Sequence, residues 1–153
     1  MPALDPNDNY AICETGVMLL LRQLTLFSTD PSHQVSDNRF NVNRGADYWA
    51  VFTPGTFSST RLDAHNYRYV WAVIFDLYVR YKTAEESLGR FKSARNMIDN
   101  WLGVNPTLAG ARGVESIVLS AKSEVLQDVP GDNPNFIIQT LTASVAQRVV
   151  RKF

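Results

Sequence analysis

The chain has 153 residues, 45% hydrophobic and 11% aromatic, with 15 Lys+Arg against 15 Asp+Glu. That length suits one domain, 1–153, and so apolar a composition excludes a disordered tail. Zero formal charge supplies no net field toward nucleic acid or anionic membrane, and the single cysteine, Cys13, excludes an internal disulfide.

The first element is a helix over about 10–27, where Val17, Leu20, Leu21, Leu24 and Phe27 form a helical stripe. The apolar run Val17–Leu21 stops at Arg22, far short of the roughly 20 residues that span a bilayer. The opening MPALDPND lacks the basic stretch and apolar core of a signal peptide. A cytoplasmic, soluble protein is expected.

From Ser28 to Asp47 the chain is polar and turn-rich, and a mobile loop is expected over about 28–47. A short strand, Tyr48–Thr53, follows, with Pro54-Gly55 expected to end it before a second polar loop over 56–66. From Tyr67 to Lys82 an apolar face (Tyr67, Tyr69, Trp71, Val73, Phe75, Leu77, Val79, Tyr81) alternates with a mixed one, the period of a strand. Thr83 and Glu86 form a capping box for a second helix with Leu88, Phe91, Ile98 and Trp101/Leu102 on its buried side. Gly103 is expected to stop it in the left-handed conformation. Two further strands, about 114–126 and 135–150, flank the loop Val129–Pro134 and read as a hairpin.

Strands thus come in runs, which favours an α+β fold: an antiparallel or mixed β-sheet covered by two helices, with long loops. Sixteen extended residues would span roughly 50 Å, whereas a globule of this size is about 40 Å across. The long strand must bend or project, and projecting strand ends need a neighbour.

Candidate chemistry is sparse. His33 and His65 sit in polar loops without metal-ligand spacing to Cys13 or to a carboxylate pair. Ser58, Ser59, Asp63 and His65 lie close in sequence but lack a nucleophile elbow, so turn and solvent roles outweigh a hydrolase. No glycine-rich phosphate loop is present. Arg39, Arg44, Arg61 and Arg68 cluster in sequence with Phe40, Tyr48 and Phe57; they read either as loop solubility with local ion pairs or as a contact surface for an acidic partner or passing DNA. Cys13, beside apolar neighbours, reads as a small buried hydrophobe.

In layout the sequence resembles the tail terminator and related tail-completion proteins of long-tailed bacteriophages. The resemblance runs through the first helix, the strand ending FDLYVRY (75–81), the helix ending IDNWL (98–102), the turn NPTLAG (105–110) leading to VESI (114–117), and the last strand around FIIQ (136–139). It implies a non-enzymatic virion protein without cofactor or metal, forming a ring, expected to be a hexamer. Such a ring would cap the tail tube, end its polymerisation and offer the head-to-tail connector a joining surface. The implied partners are the chain itself, the tail tube protein and the connector. DNA would pass the lumen without specific binding, and no membrane is involved. The implied location is the head-proximal end of the virion tail, with assembly in the host cytoplasm. Arg39, Phe40, Arg44, Phe57, Arg61, Phe136 and Ile138 are the candidate oligomer or partner contacts. A head-completion or minor capsid adaptor is the neighbouring alternative; a small-molecule-binding α+β domain, or a hydrolase using His65 with Ser58 or Ser59, is the alternative from another class.

Overall fold

The computed structural model describes residues 8–37, 46–81, 83–122, 126–128 and 136–150. Its elements run α1 (Asn9–Arg22), a 3-10 turn (Thr25–Phe27), α2 (Pro31–Gln34), β1 (Val35–Ser36), β2 (Tyr48–Arg61), β3 (Asn66–Arg80), α3 (Ala84–Gly103), β4 (Val114–Ala121), β5 (Leu126–Asp128) and β6 (Phe136–Val150). The strands form one mixed sheet in the order β1-β2-β3-β6-β4, with β5 also paired to β6. Only the β1–β2 pair is parallel. The expected α+β class holds: two long helices and one single-turn helix accompany a mixed sheet.

β3 alternates as its sequence dictates, Val73, Phe75, Leu77 and Val79 being fully buried. Both long helices pack on that face. Cys13, Val17, Leu20 and Leu21 of α1 and Phe91, Ala94, Ile98 and Leu102 of α3 join these strand residues in one core. Each helix starts where its cap stands. Asp8 Oδ1 accepts from the Ala11 N–H at 3.0 Å, and Thr83 Oγ1 accepts from the Glu86 N–H at 3.3 Å, satisfying amides that a helix start otherwise leaves unpaired.

Several sequence expectations are corrected. The first helix ends at Arg22, and Thr25–Phe27 form a separate 3-10 turn. Pro54-Gly55 does not end the strand after Thr53. β2 absorbs it as a bulge between Thr53 and Thr56 and runs on to Arg61, paired residue by residue with β3. The Gly55 N–H donates to Tyr10 Oη at 2.9 Å, and a Cβ on Gly55 would lie 1.8 Å from the Ala72 carbonyl oxygen, so only glycine fits there. Leu88 is 47% exposed instead of buried. Gly103 lies inside α3, and the left-handed residues come later, at Leu108, Ala109, Gly110 and Gly113.

Of the long polar stretch, residues 28–37 carry α2 and β1, while 38–45 lie outside the described residues. Buried Gln34 anchors this part. Its Nε2 donates to the carbonyls of Leu26 (3.2 Å) and Tyr48 (2.9 Å), and its Oε1 accepts from the Asp30 N–H at 2.7 Å. Arg22 reaches across to donate twice to the Val35 carbonyl, which seats β1 against β2.

Candidate functional site

The long strand solves its length problem by company. β3 pairs along its whole length with β6 and along nearly all of it with β2, so its own backbone groups are satisfied. Unpaired edges pass instead to the two sides of the sheet. On one side β1 contacts β2 only at Ala50 and Val51, leaving β2 beyond Val51 without an outer partner among the described residues. On the other, β4 pairs with β6 and with no further strand among the described residues.

The distal end of the β2–β3 hairpin is the least covered part of the sheet, every side chain from Thr56 to Arg61 being exposed. Phe57, 62% exposed, stands on the helix-bearing face at the rim of an aromatic ladder, 5.2 Å from the Trp71 ring and 5.9 Å from Tyr69. Tyr69 and Trp71 stack at 4.8 Å and are buried. Val70, Val118 and Val150 add exposed apolar surface. Phe57 is therefore the outermost member of an apolar surface that continues into the core, the kind of rim that a partner covers.

Arg61 donates from Nε to the Asp63 carbonyl at 3.0 Å. Asp63 closes the hairpin turn, Oδ1 accepting from the N–H groups of His65 and Asn66; the backbone bond from His65, then those from Asn66, hold its carboxyl below the usual range. Ser58 and Ser59 are successive β2 residues and so point to opposite faces of the sheet. Asp63, His65 and these serines thus belong to one hairpin and its turn. Arg68 and Arg148 are directly opposed across β3 and β6, and Glu115 bridges them at 3.1 and 3.2 Å, offsetting their repulsion.

Phe136 and Ile138 belong to a second cluster, on the sheet face away from the helices, which sequence reading missed. Trp49 stacks on Tyr78 at 3.7 Å, and Phe136 meets Trp49 edge-on at 5.2 Å. Val51 and Ile138 complete it, and the Arg80 guanidinium lies 5.1 Å from the Phe136 ring. Phe136 is buried and Ile138 half-buried, so neither offers surface comparable to Phe57. The available signal was that Tyr48–Phe52 is apolar at odd and even positions alike, the mark of a strand covered on both faces. Arg39, Phe40 and Arg44 lie outside the described residues.

Cys13 is fully buried, and burial pushes its thiol up to about 12. Its Sγ lies 3.9 Å from Oε1 of buried Gln147, which also accepts from Trp71 Nε1 at 2.8 Å; Gln147 Nε2 donates to the Arg112 carbonyl. This network ties α1, β3, β6 and the approach to β4. Among the described residues no group of three or more His, Cys, Asp or Glu could hold a metal, and no helix is long and apolar enough to cross a membrane. Comparison of the sequence with protein-family models and with curated proteins finds no match.

Proposed function

We propose that this chain is a phage virion structural protein that assembles into a ring, probed most naturally as a hexamer. The ring caps the tail tube at its head-proximal end, ends tube polymerisation and presents the surface on which the head is joined. The observation that carries the reading is a sheet whose outer edge is unpaired on each side among the described residues, β2 beyond Val51 and β4, with an exposed apolar side chain at each edge, Phe57 on the helix-bearing face and Val118 on the other. Unpaired edges and exposed apolar side chains beside them favour association, and association through two different edges is head-to-tail, the geometry that closes rings. The reading draws on the tail-terminator resemblance of the sequence, and a formally neutral chain suits a lumen that DNA must traverse without being held.

Light scattering of the full-length protein, alone and with purified tail tubes, tests the proposal. A ring mass, or a monomer that becomes a ring on tube ends and blocks further tube growth, supports it. A monomer indifferent to tubes contradicts it.

A further inference from the structure

We infer that the ring is closed by one antiparallel strand junction, in which residues 56–58 of β2 pair with residues 116–118 of β4 in the next copy. The inference rests on the ring reading above and specifies its interface.

The register across the sheet carries it. Ser59 pairs with Tyr69, Tyr69 with Gln147, and Gln147 with Val114. Phe57 leads likewise through Trp71 and Val145 to Ile117, and Phe52 through Phe75 and Leu141 to Ala121. β4 therefore lies at the level of Phe52–Ser59, the stretch of β2 that begins where β1 stops. Two free edges at one level, on opposite sides of one subunit, can meet head to tail with little axial offset. Such a contact returns to its starting point instead of climbing into a filament.

Direction and facing agree as well. The pairs β2–β3, β3–β6 and β6–β4 are each antiparallel, so β4 runs opposite to β2. A neighbour rotated about an axis along the strands brings its β4 antiparallel to this β2, the more common pairing. The right-handed twist of the sheet then tilts the strands, as in any closed barrel. Level matching sets Phe57 opposite Ile117 on the helix-bearing face, and Thr56 opposite Val118 and Ser58 opposite Ser116 on the other. The junction would cover Phe57 and Val118, which are 62% and 63% exposed in the single subunit.

Charge does not oppose the contact. Residues 52–59 carry no charged side chain, and the one charge on β4, Glu115, is already bridged by Arg68 and Arg148. Lysine is one common guard of an exposed edge, and neither 56–58 nor 116–118 carries one; the guards present, Pro54 and the two bulges, lie outside these stretches. Bulges between Thr53 and Thr56 and between Val114 and Ser116 confine regular pairing to the stretch between them. Main-chain hydrogen bonds would supply the affinity, and Phe57 against Ile117 the register.

The test is a full-length Thr56→Cys, Val118→Cys double variant, oxidised and run on a non-reducing gel beside a light-scattering mass. Both positions are exposed, so the fold is retained, and buried Cys13 is controlled by the parent chain. Within one subunit β2 and β4 stand three strand spacings apart, about 14 Å, beyond the ~7 Å that a disulfide tolerates. Any bond between them joins two copies. The expected result is a covalent ladder for the double variant, disulfide dimers and nothing larger when the two single variants are mixed, and no bond for either single variant alone. A ring mass with no ladder overturns the strand junction and leaves the ring standing. A monomeric mass with and without tubes overturns both. Dimers formed by Thr56→Cys alone would also overturn the junction, because they require β2 against β2.

Discussion

Gly16, in the middle of α1, lies directly against Leu108: a Cβ at Gly16 would stand 3.0 Å from Leu108 Cδ1 and 3.3 Å from its Cβ. Leu108 is 5% exposed and left-handed, with φ 51°, and Ala109 after it has φ 57°. Left-handed backbone costs an L-residue on the order of 1 kcal/mol, offset here by burial against Gly16 together with the turn's hydrogen bonds from Leu108 N–H to the Asn105 carbonyl and from Gly110 and Ala111 N–H to the Thr107 carbonyl. Gly16→Ala would gain about 1 kcal/mol of helix propensity but crowd a leucine that cannot retreat. It is expected to destabilise by about 1 kcal/mol net, and Leu108→Ala by about 2–3 kcal/mol, both read from urea midpoints.

Gly113 and Gly89 should respond in opposite senses. Gly113 has φ 74°, and its Cβ would lie 2.3 Å from the Arg148 carbonyl oxygen, while the Arg148 N–H donates to the Gly113 carbonyl at 2.8 Å. Gly113→Ala is expected to cost about 3 kcal/mol or more and to disturb the seating of β4 on β6. Nothing lies within 4 Å of a Cβ on Gly89 in α3, and Gly89→Ala is expected to stabilise by about 0.5–1 kcal/mol. Thermal unfolding of the two variants checks the contrast.

Stability should fall in alkali through two named groups. Burial raises the Cys13 thiol to about 12, and burial followed by the hydrogen bond to Glu14 raises the Tyr10 phenol to about 12. The unfolded chain loses these protons near their ordinary values of 9.0 and 10.0, while the folded chain keeps them. Their contribution is therefore whole below about pH 9 and is lost as pH rises toward about 12. Cys13→Ala should flatten the decline by up to about 1.4 kcal/mol per pH unit over that window. In the native wild type the thiol should react with a disulfide reagent only as fast as the chain opens.

Folding and assembly should separate at two phenylalanines. Phe57→Asp alters an exposed rim, so it is expected to shift stability by less than about 1 kcal/mol while abolishing the ring. Phe136→Asp places a carboxylate in the buried Trp49–Tyr78 cluster and is expected to cost about 3 kcal/mol or more. Circular dichroism melts beside light scattering decide this: a Phe57→Asp protein that still forms rings would remove Phe57 from the interface.

Much of this fold was legible because the residues concerned obey one dominant cause. The alternation of β3 and the Thr83–Glu86 cap appear where periodicity and capping place them. The distal half of β2, TFSSTR, is polar and becomes a strand only through the partner β3 supplies, so its sequence alone points to a loop. Context, not propensity, decides such a strand. Leu88 was misassigned because the helix buries Ser87 instead, a choice made by rotation about the α3 axis that spacing alone leaves open. The two edges and their common level were invisible, since register emerges only once β6 is placed between β3 and β4.

The most direct test of the account is the mass of the full-length protein in solution across protein and salt concentration, with and without tail tubes. The expected result is a discrete ring mass, either free or on tube ends, that Phe57→Asp eliminates while leaving the melting curve in place. A monomer that ignores tubes under all these conditions would contradict it.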